Sequence, residues 1–155
     1  MTVRSAGILL WRRRAGDVEV LIAHMGGPFW ARKDEAAWSI PKGEHDETED
    51  PLAAALREWR EELGVDLPLD HAALVSLGEL RQPSGKRLTA WAGEGDLDPD
   101  AVVPGTFTLE WPPKSGRNVE FPEVDRVGWF DLDAARPLLV KGQRELLDRL
   151  RGVVA

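Results

Sequence analysis

The sequence predicts an α/β protein in which a mixed β-sheet lies between helices. Three observations favour this fold class. Strand-like runs of branched residues recur along the chain, few helical segments separate them, and 155 residues suffice to bury a sizeable core. No internal repeat, linker or low-complexity tract divides the chain, so we expect a single domain over residues 1–155.

Composition and charge narrow the class of protein. The 43% hydrophobic and 30% charged residues are typical of a soluble globular domain. A net charge of −7 disfavours a duplex nucleic-acid binder with a broad basic face. No apolar run approaches the roughly 20 residues of a membrane span, and the N-terminus lacks a signal-peptide pattern. Together with the absence of cysteine, these features lead us to expect a cytoplasmic monomer or homodimer that does not enter membranes.

The chain begins with a predicted hairpin. Residues 5–11 and 18–23 are rich in branched side chains and predict two strands. The arginine-bearing segment 12–17 predicts the turn between them, with its arginines as an exposed polar tip.

A long loop is predicted at residues 24–37, and loops of this length in compact domains are often functional. Trp30, Arg32 and Lys33 combine a flat ring with two cations, which suits the binding of a nucleobase and its phosphates. In the alternative interpretation, Phe29 and Trp30 cover the edge of the core. Residues 38–43 then predict a short strand.

Residues 50–64 carry the clearest helical pattern. Asp50 is a typical N-cap, Pro51 suits the first helical position, and Gly64 suits the left-handed residue that ends a helix. Apolar residues recur between these ends at spacings of four, three and four, forming one stripe: Leu52, Leu56, Trp59 and Leu63.

The second half predicts further strands and two closing helices. Within residues 94–122 only 107–111 is strand-like, and 114–117 predicts a basic loop that could reach substrate phosphates. The other expected elements are strands at 73–79, 87–93 and 124–130, and helices at 134–140 and 143–150.

Three carboxylates share a second side of the predicted helix. Glu61 and Glu62 follow Glu58 by three and four residues, so all three side chains are neighbours on one helix surface. Like charges so placed repel, and neither Arg57 nor Arg60 is placed to neutralise all three. A divalent cation such as Mg²⁺ or Mn²⁺ would neutralise them, since these ions choose oxygen ligands. The alternative is a solvated acidic face.

The segment from Gly43 to Val65 resembles the Nudix box at each of its characteristic positions: Gly43, Glu49, Arg57, Glu58, Trp59, Glu61, Glu62, Gly64 and Val65. This resemblance implies a Nudix-type α/β/α sandwich and an enzyme that uses Mg²⁺ or Mn²⁺. The reaction it implies is hydrolysis of a nucleoside diphosphate linked to another group. The implied partner is therefore a small phosphorylated molecule, such as a nucleotide.

The resemblance also implies roles for the box residues. Glu61 and Glu62 would be metal ligands, and Glu58 either a ligand or the general base. Arg57 would pair with Glu49 and aim Glu58, or else touch a substrate phosphate.

Two further contributions are implied outside the helix. In the family a backbone carbonyl just before the box glycine contacts the metal, which here would be that of Lys42. The Lys42 side chain could also bind a polyphosphate as a point charge. A carboxylate well downstream of the box often joins the site, and we expect Glu123 in this role, with Glu120 as the alternative.

The substrate class stays open among several alternatives. The Pro-Lys-Gly sequence before the box, at residues 41–43, is similar to that of Nudix enzymes that cleave dinucleoside polyphosphates and diphosphoinositol polyphosphates. A dinucleoside polyphosphate or related polyphosphate is thus the leading expectation. The alternatives are a nucleoside triphosphate in a house-cleaning reaction, a nucleotide sugar, or a non-catalytic Nudix-fold module that binds nucleotides.

Overall fold

The computed structural model describes residues 3–154, so Met1, Thr2 and Ala155 of the expected domain lie outside the described residues. The strands are β1 (Arg4–Arg14), β2 (Asp17–Met25), β3 (Trp38–Ser39), β4 (Lys42–His45), β5 (Val75–Arg81), β6 (Arg87–Glu94), β7 (Thr106–Glu110), β8 (Asn118–Pro122) and β9 (Val124–Asp131). The α-helices are α1 (Pro51–Leu63), α2 (Leu132–Leu138) and α3 (Glu145–Val154). Short 3₁₀ turns lie at His71–Ala73, Pro99–Ala101 and Lys141–Gln143.

A seven-stranded mixed sheet organises the domain. Its main path is β3-β2-β1-β6-β5, with β9 added to β2 and β4 added to β1. The β1–β6 pair is parallel and the other pairs of this sheet are antiparallel. On one side, β1 pairs with β4 from Arg4 to Gly7 and with β2 from Trp11 to Arg14. The chain leading into α1 is therefore inserted next to the central strand.

Helices cover both faces of this sheet, which confirms the predicted sandwich. Alternation along β1 sends Ile8 and Leu10 to the face covered by α1, and Leu9 to the face covered by α2 and α3. Trp59 of α1 is fully buried in the first layer. The expected inward leucines of α3 are fully buried in the second: Leu146, Leu147 and Leu150.

Helix α1 has the predicted ends. The Asp50 side chain accepts a hydrogen bond from the backbone N–H of Ala53 at 3.0 Å. Gly64 adopts a left-handed conformation with φ of +68°, and its N–H donates to the carbonyl of Arg60 at 2.8 Å. A Cβ at Gly64 would also meet the Val103 carbonyl oxygen at 2.0 Å, so only glycine fits here.

The buried side of α1 differs in part from the predicted stripe. Trp59 and Leu63 are fully buried as expected, whereas Leu52 and Leu56 are only half-buried. The small residues Ala54 and Ala55 are fully buried instead. Small side chains let the helix backbone lie close to β1, which rotates the larger leucines towards the edge of the interface.

Other expected boundaries in the first half need correction. Residues 12–14 extend β1 rather than forming the turn, which is confined to Ala15 and Gly16. His24 and Met25 belong to β2 rather than to the loop. The strand expected at 38–43 is broken into β3 and β4 because the chain crosses from β2 to β1 between them.

The second half contains one strand that the sequence analysis missed. Residues 118–122 form β8, which pairs with β7 in a separate two-stranded sheet. The alternating pattern of β8 is short, and it contains the strand-disfavouring residues Glu120 and Pro122, so the sequence analysis did not predict a strand there. Residues 73–74 precede β5, and the closing helix begins at Glu145 after a 3₁₀ turn. No helix within residues 3–154 combines the length and apolar character needed to cross a bilayer.

Candidate active site

An open cavity of about 390 Å³ lies where α1, β4 and the start of β9 meet. Glu58, Glu62 and Glu123 line it together with Lys42 and Gly43, and we call it the carboxylate cavity. The structure thus brings together five of the residues that the sequence singled out. Glu61 lies about one helical turn after Glu58 on the same side of α1, and its side chain is more than half exposed.

Glu62 is the most enclosed of these acids. The backbone N–H of Lys42 approaches its Oε2 at 3.4 Å, a long hydrogen bond. The pKa of Glu62 is raised to about 8, mainly by burial and to a smaller extent by the nearby Glu123 and Glu58 carboxylates, against the opposing effect of Lys42. An ionised carboxylate at this position therefore lacks adequate compensation from the protein.

Glu58 lies directly against the box glycine. A Cβ built on Gly43 would stand 1.9 Å from the Glu58 carboxyl carbon, so a side chain there would displace the acid. Burial raises the pKa of Glu58, while a 2.9 Å hydrogen bond from Arg57 Nη1 opposes that rise. The absence of a side chain at Gly43 thus leaves the space that the Glu58 carboxyl group occupies.

Arg57 makes the predicted pair with Glu49 and also reaches two other acids. Its Nε and Nη2 each donate to Glu49 at 2.9 Å in a bidentate pair. Its Nη1 donates to Glu58 at 2.9 Å and to Glu61 at 3.1 Å. These contacts raise the pKa of Arg57 and lower that of Glu49. Within residues 3–154, neither Glu62 nor Glu123 has an ion-pair partner.

Both backbone polar groups of Glu123 form hydrogen bonds. Its N–H donates to the Gly105 carbonyl at 2.8 Å, and its carbonyl accepts from the N–H of Gly26 at 2.9 Å. Burial and repulsion from Glu58 and Glu61 raise the pKa of Glu123. Glu120, the alternative downstream acid, lies exposed on β8 opposite Thr108 and does not line the cavity.

The donor set of the carboxylate cavity suits a hard divalent cation. Carboxylate oxygens are the ligands that Mg²⁺ and Mn²⁺ prefer. Burial, together with repulsion from neighbouring carboxylates, raises the pKa of Glu58, Glu62 and Glu123, so a bound cation would favour their ionised forms. Among the described residues, no three acidic or histidine side chains already converge on one point as a metal cluster. Binding an ion there therefore requires the acids to rotate inward, which the open volume of the cavity permits.

The three predicted substrate residues of the long loop lie elsewhere. Trp30, Arg32 and Lys33 do not line the carboxylate cavity. Trp30 is half-buried against the core, as in the alternative interpretation of this loop, and Lys33 Nζ lies 5.5 Å from its ring centroid. Arg32 is exposed.

His24 anchors this loop, a role that the sequence analysis did not assign. It is fully buried, and its Nε2 lies 2.6 Å from the Lys33 carbonyl oxygen, to which it donates. Its Nδ1 lies 2.8 Å from Asp125, two residues after Glu123. Its position directly after the predicted apolar strand at 18–23 was the available signal, but Asp125 is distant in sequence.

Comparison with known proteins identifies the family. A model of the NUDIX domain matches residues 1–150. The chain belongs to the Nudix family. This confirms the resemblance on which the residue roles in the box were based.

Two curated relatives carry names that describe different substrates. This Nudix domain is 31% identical over 151 residues to an 8-oxo-(d)GTP phosphatase of Mycolicibacterium smegmatis, a match covering 86% of the chain and 36% of the relative. It is 35% identical over 65 residues to an asymmetrical bis(5'-nucleosyl)-tetraphosphatase of Caenorhabditis elegans, covering 42% of the chain and 43% of the relative. Each match thus covers less than half of the relative's own length.

Solved structures agree on the fold. A C. elegans Ap4A hydrolase in a binary complex superposes with a TM-score of 0.67 at 22% identity, covering 99% of this chain and 98% of that one. The NUDIX domain of Shewanella oneidensis NrtR, complexed with ADP ribose, gives a TM-score of 0.66 at 16% identity, covering 100% and 90%. At these identities the similarity establishes the Nudix fold alone.

Proposed function

We propose that the protein is a metal-dependent pyrophosphohydrolase that cleaves a phosphoanhydride in a nucleoside diphosphate linked to another group. The observation that carries this proposal is the carboxylate cavity, where Glu58, Glu62 and Glu123 face one open volume, and no ion pair within residues 3–154 engages Glu62 or Glu123. Membership of the Nudix family and the names of both curated relatives support it.

The residues divide the work of binding a divalent ion. Glu61 and Glu62 are proposed as ligands, with Glu123 as the downstream carboxylate and the Lys42 carbonyl as a neutral oxygen ligand. A bound Mg²⁺ or Mn²⁺ would neutralise the phosphate oxygens and lower the pKa of a water molecule. Glu61 must leave Arg57 for this purpose, a change that its exposed position allows.

Other side chains position the reacting groups. Arg57 donates a hydrogen bond to Glu58, which lies against Gly43 at the cavity and is proposed as ligand or general base. The Lys42 side chain lies at the same cavity and supplies a positive charge for a polyphosphate. The high pKa of Glu62 without an ion means that this acid gives up its proton when a cation binds.

A dinucleoside polyphosphate or a related polyphosphate is the proposed substrate class. The Pro-Lys-Gly sequence before the box and the relative named bis(5'-nucleosyl)-tetraphosphatase support it. The second candidate is an oxidised or ordinary nucleoside triphosphate, because the relative named 8-oxo-(d)GTP phosphatase matches twice the share of the chain.

The test is hydrolysis by the purified protein with chromatographic identification of products. Diadenosine tetraphosphate, 8-oxo-dGTP and ATP are compared at equal concentrations with Mg²⁺ and with excess EDTA. We expect Mg²⁺-dependent cleavage with the highest kcat/KM for diadenosine tetraphosphate, and no turnover in EDTA. The highest value for 8-oxo-dGTP would replace the leading substrate class with the second candidate.

Matched variants separate the site from contaminating activity. Glu62→Gln is expected to lower kcat by orders of magnitude with an unchanged circular dichroism spectrum. Glu47→Gln, in the exposed box loop, is the control and should retain wild-type turnover. Full activity in EDTA, or undiminished activity of Glu62→Gln, would exclude the proposed mechanism.

A further inference from the structure

The fully buried histidine of β2 contacts one oxygen atom with each of its ring nitrogens. His24 Nδ1 lies 2.8 Å from Asp125 Oδ1, and Nε2 lies 2.6 Å from the Lys33 carbonyl oxygen. Both oxygens are hydrogen-bond acceptors, so a ring that satisfies both carries a proton on each nitrogen. The positive charge that this gives the ring is balanced by the Asp125 carboxylate.

Asp125 is the extra residue of a β-bulge at the start of β9. The regular register of the β2–β9 pair ends where His24 lies opposite Arg126. The next residue of β2, Met25, lies opposite Val124, so Asp125 has no partner residue on β2. A regular ladder would place Asp125 opposite Met25. The bulge therefore shifts the chain before Asp125 by one position along β2.

This shift sets the backbone position of Glu123 at the carboxylate cavity. Val124, which the bulge brings opposite Met25, is 2% exposed in the layer under α1. Glu123 consequently falls beside Gly26, whose N–H donates to its carbonyl at 2.9 Å. A Cβ at Gly26 would stand 1.9 Å from the Pro122 carbonyl oxygen, so the two chains are in close contact here. The place of Glu123 in the cavity therefore depends on the bulge.

The contact between His24 and Asp125 stabilises the bulge. Asp125 also lies 3.5 Å from Nη1 of Arg126, but that arginine is half exposed and also pairs with Asp34 at 3.2 Å. An exposed ion pair of this kind contributes little to stability. The His24 ring is shielded from solvent, so loss of Asp125 would leave its Nδ1 without a partner, which is costly for a buried polar group.

We propose that His24 is a positioning residue for the divalent-metal site, which holds Asp125 in the bulge and thereby fixes Glu123 at the carboxylate cavity. This role depends on the proposed function, because it takes Glu123 as a metal ligand. His24 acts through Asp125 and Glu123 and does not touch the metal. Its contact with the Lys33 carbonyl fixes the loop at residues 26–37 and is a separate contribution.

Titration calorimetry of the full chain with Mn²⁺ alone tests this role. Two substitutions separate the contacts of the ring, because a glutamine amide nitrogen can replace Nε2 and an asparagine amide nitrogen can replace Nδ1. His24→Gln loses the Asp125 contact and should weaken Mn²⁺ binding about tenfold, whereas His24→Asn keeps this contact and should retain most of the affinity. Asp125→Ala removes the same contact without altering the buried ring and should match His24→Gln. His71→Gln, on an exposed 3₁₀ turn, is the control and should bind as wild type.

A second pair of proteins distinguishes positioning from general stability. In a Glu123→Gln background, His24→Gln should cause no further loss of Mn²⁺ affinity, although urea unfolding should still show its lower stability. A loss that adds fully to that of Glu123→Gln would overturn the proposal. Equal losses in His24→Gln and His24→Asn would also overturn it, since they indicate a packing role for the ring. Unchanged affinity of His24→Gln or of Asp125→Ala would do the same.

The two proposals fail in different ways. A wild-type protein that binds no Mn²⁺ would contradict the proposed function, and the role of His24 with it. A wild-type protein that binds Mn²⁺ and gives any of the three contrary results above would overturn the role of His24 alone. Because calorimetry needs no turnover, these outcomes do not depend on which substrate the protein cleaves.

Discussion

Replacing Glu62 by glutamine is expected to stabilise the metal-free protein at alkaline pH while abolishing its turnover. Burial raises the pKa of Glu62 from 4.5 to about 8, so the folded protein holds a proton that the unfolded chain releases in that range. The free energy of unfolding of the wild type must then fall as pH rises between these two values. Glutamine has no proton to lose and escapes this cost.

The size of the effect follows from the same pKa values. Each pKa unit corresponds to about 1.4 kcal/mol, so the ceiling is about 5 kcal/mol. The cavity is open, and water that enters it reduces the cost of charging Glu62, so we expect a gain on the order of 2 kcal/mol.

Urea unfolding in EDTA, followed by circular dichroism, measures this gain. The two proteins should have similar stability near pH 5 and diverge as the pH approaches about 9, with the variant more stable. Mg²⁺ should then stabilise the wild type more than the variant. A variant that is less stable than the wild type by the same amount at both pH values would refute the reasoning.

Four other substitutions probe the cavity through kcat. Glu123→Gln should lower kcat about 10- to 100-fold, whereas Glu120→Gln should leave it unchanged; the opposite result would transfer the downstream role to Glu120. Gly43→Ala should lower kcat by a similar factor, because its methyl group would displace the Glu58 carboxyl, and wild-type kinetics would remove Glu58 from the reaction. Arg57→Lys keeps the charge but loses the bidentate pair, so we expect reduced kcat with little change in KM; a changed KM alone would indicate phosphate binding.

Local patterns predicted the helix at the centre of the site well. Asp50 and Gly64 are chemically suited to helix ends, and the structure confirms both caps. The spacing of the glutamates placed them on one side of α1 because helical geometry is the same in any context. The pair between Arg57 and Glu49 was implied by the family resemblance and is present.

Features that depend on contacts distant in sequence could not be predicted. The enclosure of Glu62 arises because Lys42 and Glu123 approach it from other elements. Strand β8 was missed because its own sequence is short and polar and has little strand preference. It is extended because it pairs with β7. The burial of His24 depends on Asp125 and on a loop carbonyl, neither of which a sequence pattern specifies.

The β7–β8 hairpin closes at its own base, where Gly105 and Glu123 are joined by a backbone hydrogen bond of 2.8 Å. The backbone position of Glu123 is consequently fixed at the base of the hairpin, and lengthening the hairpin adds only a small loop-closure penalty. Insertion or exchange of residues 106–122 should therefore leave the carboxylate cavity in place. The hairpin is thus a natural graft site on this scaffold.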